Sequence, residues 1–299
     1  MPYFVAKLAL ASAFFLAGPA AWAQSKPHAQ ASGTHPATAP PVQKADDATG
    51  SLSAALGYGN NSAFFGRTQA TNYPYLTQEL TYTSKYNLWA SVYNYDLFNT
   101  ATHFDETDLS IGYDQDLSKK VDLSLSYSHF LYAPNSPLVK SAVNNSLDAA
   151  LGYDWGVLYT RLNGSYLFGP NAHDTFAVLD NSRVFDIDGV FTPDDYFTIT
   201  PKFSLIAGTQ DFAQVSDAQQ IQRGNKKPKT KTGTPTPTTI STDASRFTLL
   251  SYGLRLPVSY TLGKVSAEVA YRYLQPVNVL PENDSAGRSF FTATLTVTL

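Results

Sequence analysis

The sequence predicts an all-β protein, a closed antiparallel up-and-down transmembrane β-barrel of about twelve strands. Three observations predict it. The final segment alternates without a break, with Phe291, Ala293, Leu295, Val297 and Leu299 on one parity and Thr292, Thr294, Thr296 and Thr298 on the other. A period of two places these sets on opposite faces of a strand, one apolar and one lined by hydroxyls. Segments of the same kind recur from Ser51 onward, and the connections between them alternate between short and long. A bilayer demands that pattern: apolar side chains outward, polar ones inward, and a closed ring with no unpaired edge.

The elements follow in order. Lys7 precedes an apolar run, Leu8 to Leu16, then Gly18-Pro19 and the small-residue site Ala21-Trp22-Ala23. These are the parts of an export signal, residues 1–23, with cleavage expected after Ala23. The apolar run is too short to span a bilayer, and no later stretch reaches the ~18 apolar residues of a transmembrane helix. Residues 24–50 are rich in Ala, Pro, Gln, Thr and Ser and show no apolar periodicity, which reads as a disordered periplasmic linker. His28 and His35 lie there, isolated, and no metal role is assigned to them.

Twelve strands are expected in residues 51–299: Ser51–Gly66 with a kink at Asn60-Asn61, Tyr75–Thr83, Leu88–Tyr95, Asp105–Asp114, Val121–Leu131, Ser146–Tyr153, Val157–Phe168, Asp174–Ile187, Tyr196–Thr209, Arg246–Tyr260, Lys264–Leu274 and Arg288–Leu299. The short connections, such as Ser84–Asn87, Asp154–Gly156 and Thr261–Gly263, read as periplasmic turns. The long ones, among them Tyr132–Asn145, Asp211–Ser245 and Gln275–Gly287, read as external loops. Around the eighth strand the rhythm fails: Gly169–His173 is short for a loop, Asp188–Asp195 is long for a turn, and a bulge near Asn181 or a different strand count would account for it.

Parity then sorts the side chains. Leu250, Tyr252, Leu254, Leu256, Val258 and Tyr260 are assigned outward, opposite Ser251, Gly253, Arg255 and Ser259. By the same rule Asp108, Asp114, Asp122, Asp148, Lys202, Arg255, Glu268 and Arg272 face the lumen. A cation on the lipid face near mid-membrane would cost about 2–4 kcal/mol, so charge on the polar parity supports the assignment. Tyr82, Tyr95, Tyr113, Tyr127, Tyr153, Tyr166, Tyr260, Tyr273, Trp89 and Trp155 lie near strand ends and are expected in aromatic girdles at the headgroup level.

Other chemistry is thinly represented. The chain has no cysteine, which excludes disulfides, thiolate metal sites and Cys nucleophiles, and a net charge of −3 argues against nucleic acid. There is no metal-ligand spacing, no phosphate-binding Gly-rich loop and no implied cofactor. The nearest approach to a Ser–His pair is Ser128-His129, but His129 shares the parity of Leu125 and Tyr127. The acid pair Asp194-Asp195 falls on the periplasmic side, away from His103 and His173, so no enzyme is expected. The longest connection carries a basic run, Arg223, Lys226, Lys227, Lys229 and Lys231, then Thr234-Pro235-Thr236-Pro237. That composition reads as flexible and extended without a core, either a solvated insertion or a loop that folds into the mouth and attracts anions or grips lipopolysaccharide phosphates.

Over nearly all of residues 51–299 the chain resembles small, roughly twelve-stranded outer-membrane β-barrels of Gram-negative bacteria. The export signal, the dyad repeats, the connection rhythm and the terminal strand carry the resemblance. Phe64-Phe65-Gly66-Arg67, with Tyr75-Leu76 and Leu88-Trp89-Ala90-Ser91-Val92, is also similar to the start of one group of outer-membrane porins. Such barrels commonly end on Phe, whereas this chain ends on Leu299. The resemblance implies an outer-membrane location, recognition by the barrel-assembly machinery, and contact with outer-membrane lipid and lipopolysaccharide. It also implies a porin-like channel for passive diffusion of small hydrophilic solutes or ions. The competing expectation is a closed structural or surface-binding barrel that acts through its external loops.

Overall fold

Strands with one apolar face satisfy their backbone groups in lipid only by closing on themselves. The computed structural model, which describes residues 50–68, 72–98, 100, 104–134, 136–138, 142–222 and 241–299, closes in this way. The expected signal, residues 24–49 and the basic run Arg223 to Lys231 lie outside the described residues.

The strands are β1 (Ser51–Gly59), β2 (Ala63–Phe64), β3 (Arg67–Thr68), β4 (Tyr75–Thr83), β5 (Leu88–Leu97), β6 (Glu106–Asp116), β7 (Val121–Tyr132), β8 (Asn145–Asp154) and β9 (Tyr159–Phe168). They continue as β10 (His173–Ser182), β11 (Phe185–Asp188), β12 (Asp195–Ile199), β13 (Lys202–Gly208), β14 (Thr248–Leu262), β15 (Val265–Pro276) and β16 (Arg288–Thr298), with one helix, α1 (Asp211–Gln222), after β13. Every neighbour in the ring is antiparallel and sequential, and β1 pairs with β16 to close it, from Ser53 opposite Thr298 to Gly59 opposite Thr292. The result is a closed twelve-stranded antiparallel β-barrel, because β10 with β11, and β12 with β13, are each one interrupted strand.

That interruption explains the irregular eighth strand. Pro201 has no N–H to give to a ladder, so the ninth strand breaks there, and its partner breaks at Arg183 and Val184. Beyond the break, β11 and β12 form a hairpin, which makes the connection at 189–194 its tip rather than an oversized turn. The break falls two residues from the expected position near Asn181, and the count of twelve is unchanged.

The two faces separate as alternation requires. Leu254 is 57 % exposed, while the neighbouring Arg255 side chain is 11 % exposed inside. Tight turns with positive φ at Asn87, Gly156 and Gly263 mark one end of the barrel, where both chain ends of the ring also lie. The long connections gather at the other end, which we call the external mouth.

Candidate functional site

Below the mouth, the lumen wall is built from the polar parity of each strand. Asp108, Asp114, Asp122, Asp148, Lys202, Arg255, Glu268 and Arg272 all lie on the inner face, as their parity with buried Ser110, Ser124, Ala150, Ile206, Ala270 and Leu274 shows. Register sets Lys202 opposite Arg255 and Arg255 opposite Arg272, a row of three cations across β13, β14 and β15. Like charges directly opposed repel. Glu268 offsets them by accepting from Arg255 Nη2 at 2.6 Å, and Asp180 by accepting from Lys202 Nζ at 3.4 Å.

Half the ring away, β6 to β8 present acids instead. Asp114 accepts from Ser124, Asp148 accepts from Ser146 at 2.6 Å and from Ser165, and Asp122 pairs with Arg161 at 2.9 Å and accepts from the Tyr159 hydroxyl. The lumen therefore carries a cationic wall facing an acidic one. Arg161 Nε and Nη2 and the hydroxyls of Thr294 and Thr296 are buried without a hydrogen-bond partner among the described residues. Burying such groups unpaired costs stability, and the inner wall here is closely lined by its own side chains.

Glu79, Arg161 and Asp180 also face inward and were absent from the sequence-derived set. Alternation could have found the first two: Leu80 and Tyr82 face outward beside Glu79, as do Leu162 and Tyr166 beside Arg161. Asp180 was hidden because its strand carries Phe176 and Val178 on the inner face.

The mouth is chemically different. The segment after β1 turns inward and forms a hairpin, β2 with β3, whose turn uses Phe65 and Gly66 at positive φ. A Cβ at Gly66 would collide with Ser251, so glycine is required there for space as well as for conformation. Phe65 stacks on Phe176 of the wall with centroids 3.7 Å apart, and Phe64 meets Phe212 of α1 edge-on at 5.3 Å. Val143, Leu167, Val178, Ile206, Val215 and Leu250 complete an apolar cluster inside the ring. A second cluster, Tyr75, Tyr93, Tyr95, Leu97 and Leu138, fills the other side.

Helix α1 corrects the expectation that Asp211–Ser245 lacks a core. Ala213, Gln214 and Ala218 favour a helix, and Asp174 on β10 caps it: Oδ1 accepts from Asp211 N and Oδ2 from Phe212 N, both at 2.8 Å. Burial raises the Asp211 carboxyl above its ordinary range, while a hydrogen bond from Ser245 opposes the shift. Asn283 donates to Asp217 Oδ2, tying the helix to the last loop.

Arg67 is the fastener. It is fully buried, and all four of its acceptors are neutral oxygens. Nε and Nη2 both donate to Gln210 Oε1, Nη1 to the Leu250 carbonyl, and Nη2 also to the carbonyls of Val277 and Asn278. One side chain thus joins three connections to the wall. Desolvation pulls its pKa down to about 10, against the opposing pull of Asp217, so it remains charged at neutral pH.

Three other expectations need correction. Leu250 faces inward, not to lipid, because β14 bulges there: Ile206 pairs with Ser251 and Ala207 with Leu249, which leaves Leu250 over to enter the plug. Tyr95 and Trp89 share the inward parity of Tyr93 rather than joining the girdles, and Gly112 leaves room for the Trp89 ring. Tyr82, Tyr153, Tyr166 and Trp155 do lie exposed on the outside. Ser128 and His129 point to opposite faces, Ser128 to Ser110 Oγ in the lumen and His129 Nδ1 to Asn145 Oδ1, so they cannot act as a pair. Asp195 caps the 189–194 turn by accepting from Val190, Phe191 and Thr192 amides.

No protein-family model matches the chain, and no curated protein matches it. Among solved structures, the chain is similar to the NanC porin at 11% identity and TM-score 0.48, covering 83% of this chain and 100% of that one. The KdgM porin aligns at 8% identity and TM-score 0.46, covering 83% and 98%. LpxR from Salmonella typhimurium aligns at 9% and 0.47, covering 82% and 99%. At these identities and TM-scores the likenesses carry no argument of their own, and the twelve-stranded ring rests on this chain's own strand pairing.

Proposed function

We propose that this chain is an outer-membrane channel for passive diffusion of small hydrophilic solutes or ions, held here with its external mouth shut. The observation that carries this reading is the charge-divided lumen, a row of cations on one wall facing acids on the other. Opposed fixed charges align and select small polar species, and a purely structural barrel has no need of them. Pore-lining roles go to Asp108, Asp114, Asp122, Asp148, Lys202, Arg255, Glu268 and Arg272. Opening requires the plug of β2, β3 and α1 to leave the ring. The test is conductance of refolded protein in planar bilayers, with gel mobility before and after boiling as the folding control. A folded barrel that never conducts, even with the plug removed, refutes the channel.

A second reading is supported by the apolar mouth itself. Two buried clusters fill the external half of the ring, as in a closed barrel that presents its loops to a surface partner. Deleting 211–245 separates the readings, because a channel gains conductance while a binding barrel loses its partner and stays silent.

A further inference from the structure

A cavity of about 430 Å³ lies at the rim of the mouth, where the chain leaves β1 and enters β16. Asn60, Asn61, Asn72, Arg288 and Ser289 line it. Arg288 is the one charged side chain among them, and no carboxylate takes part.

The hydrogen bonds fix which atoms face the cavity. Asn60 Oδ1 accepts from the Phe291 amide at 2.8 Å, and Asn61 Oδ1 accepts from the Ser62 amide at 2.8 Å. Asn72 Oδ1 accepts from Asn61 Nδ2 at 2.8 Å and also from Arg288 Nη1. An amide or a guanidinium can only donate, so each of these side-chain assignments is forced by its partner. All three carboxamide oxygens are therefore occupied by the protein. Asn60 Nδ2, Asn72 Nδ2, and Arg288 Nε and Nη2 remain as donors with no protein acceptor among the described residues. A pocket that offers donors around one guanidinium, with no carboxylate in its lining, is complementary to an anion rich in oxygen.

Its position narrows the ligand. Ser289 shares the outward parity of Phe291, and its hydroxyl lies 3.0 Å from the Tyr271 hydroxyl. Tyr271 and Phe291 pack ring to ring at 5.3 Å on the lipid face. Tyrosine hydroxyls on such a face mark the headgroup level. Arg288 shares the inward parity of Phe290, so the cavity straddles the rim, with Ser289 on its lipid side at the headgroup level.

We propose that this rim cavity binds a phosphorylated sugar, the headgroup chemistry of an outer-leaflet glycolipid. Arg288 would meet the phosphate, and the Asn60 and Asn72 amides the phosphate and sugar oxygens. The site stands whether or not the barrel conducts.

Native mass spectrometry of the full chain in detergent tests it, with purified bis-phosphorylated lipid A and, separately, glucosamine 1-phosphate as probes. Wild type should retain one lipid A. Arg288→Gln and Asn72→Asp should each weaken binding by about tenfold or more, the loss of a charge-assisted hydrogen bond. Asn72→Asp keeps an oxygen for Asn61 and Arg288, removes the outward donor and adds a negative charge that pairs with Arg288 and repels an anion, and heat-modifiable migration confirms that each variant folds. Binding of glucosamine 1-phosphate but not lipid A, with the same dependence on both variants, would support phosphoryl-sugar recognition and assign the site to a soluble solute. No binding of either probe, or binding unchanged in both variants, overturns the proposal.

Discussion

The two ends of the lumen are made of opposite materials. The lower wall is serine, threonine and paired charge, typified by Arg255 with Glu268 and Arg161 with Asp122. The mouth is phenylalanine, leucine and tyrosine, buried around Phe65, Phe176 and Phe212. The difference teaches where stability and function divide. The ring is fixed by strand pairing and lipid, so its inner face is free to be polar. The mouth has no strand ladder to hold its loops, so they are held by apolar burial and by one buried guanidinium.

The sharpest way to break this contrast is to put charge into the mouth. Phe212→Asp should expel α1, since a buried unpaired carboxylate costs several kcal/mol, about 3–5 when its surroundings offer no partner. Hydrogen exchange across 211–222 should rise to that of a solvated loop while the barrel stays heat-modifiable. Unchanged protection would show that the cluster does not hold the helix.

Charge on the two faces of the ring should differ next. Leu254→Arg points to lipid and should lower folding stability by about 2–4 kcal/mol in denaturant titration. Thr294→Lys points inward, directly opposite Glu268, and should be tolerated within about 1 kcal/mol. Equal costs would mean that the faces are misassigned.

A subtler change tests the hairpin. Gly66→Ala imposes a Cβ on a positive φ and on Ser251, which should weaken plug docking by about 1–2 kcal/mol, read as faster proteolysis within 60–74. The smallest effect belongs to the lumen. Glu268→Gln leaves the Lys202, Arg255 and Arg272 row less compensated, so the reversal potential of an opened variant should move toward anions. A shift toward cations would contradict the proposed role of that row.

The ring was legible in the sequence because lipid enforces it. A membrane face tolerates few exceptions, so Val121 to Tyr127 or Phe291 to Leu299 can be read by parity alone. The mouth was not legible, for the same reason in reverse. There the inner face is apolar too, so Phe176 and Val178 erase the alternation of β10, and the bulge at Leu250 moves that side chain from the expected outer face to the core. Tyr95 near a strand end looks the same in sequence whether it faces headgroups or a buried cluster. Arg67 in a loop gave no sign that Gln210, Leu250, Val277 and Asn278, far along the chain, would converge on it. Helix α1 was masked by the basic and Thr-Pro stretch that follows it.

On the proposed function, the lumen is closed by a plug fastened through Arg67. Single-channel recording of wild type beside Arg67→Ala in planar bilayers tests it most directly. Removing the guanidinium breaks five hydrogen bonds and should weaken plug docking by about 2–4 kcal/mol. Wild type should be mostly closed with rare openings, and the variant should show discrete, frequent openings. Two folded barrels equally silent, or equally open, would contradict it.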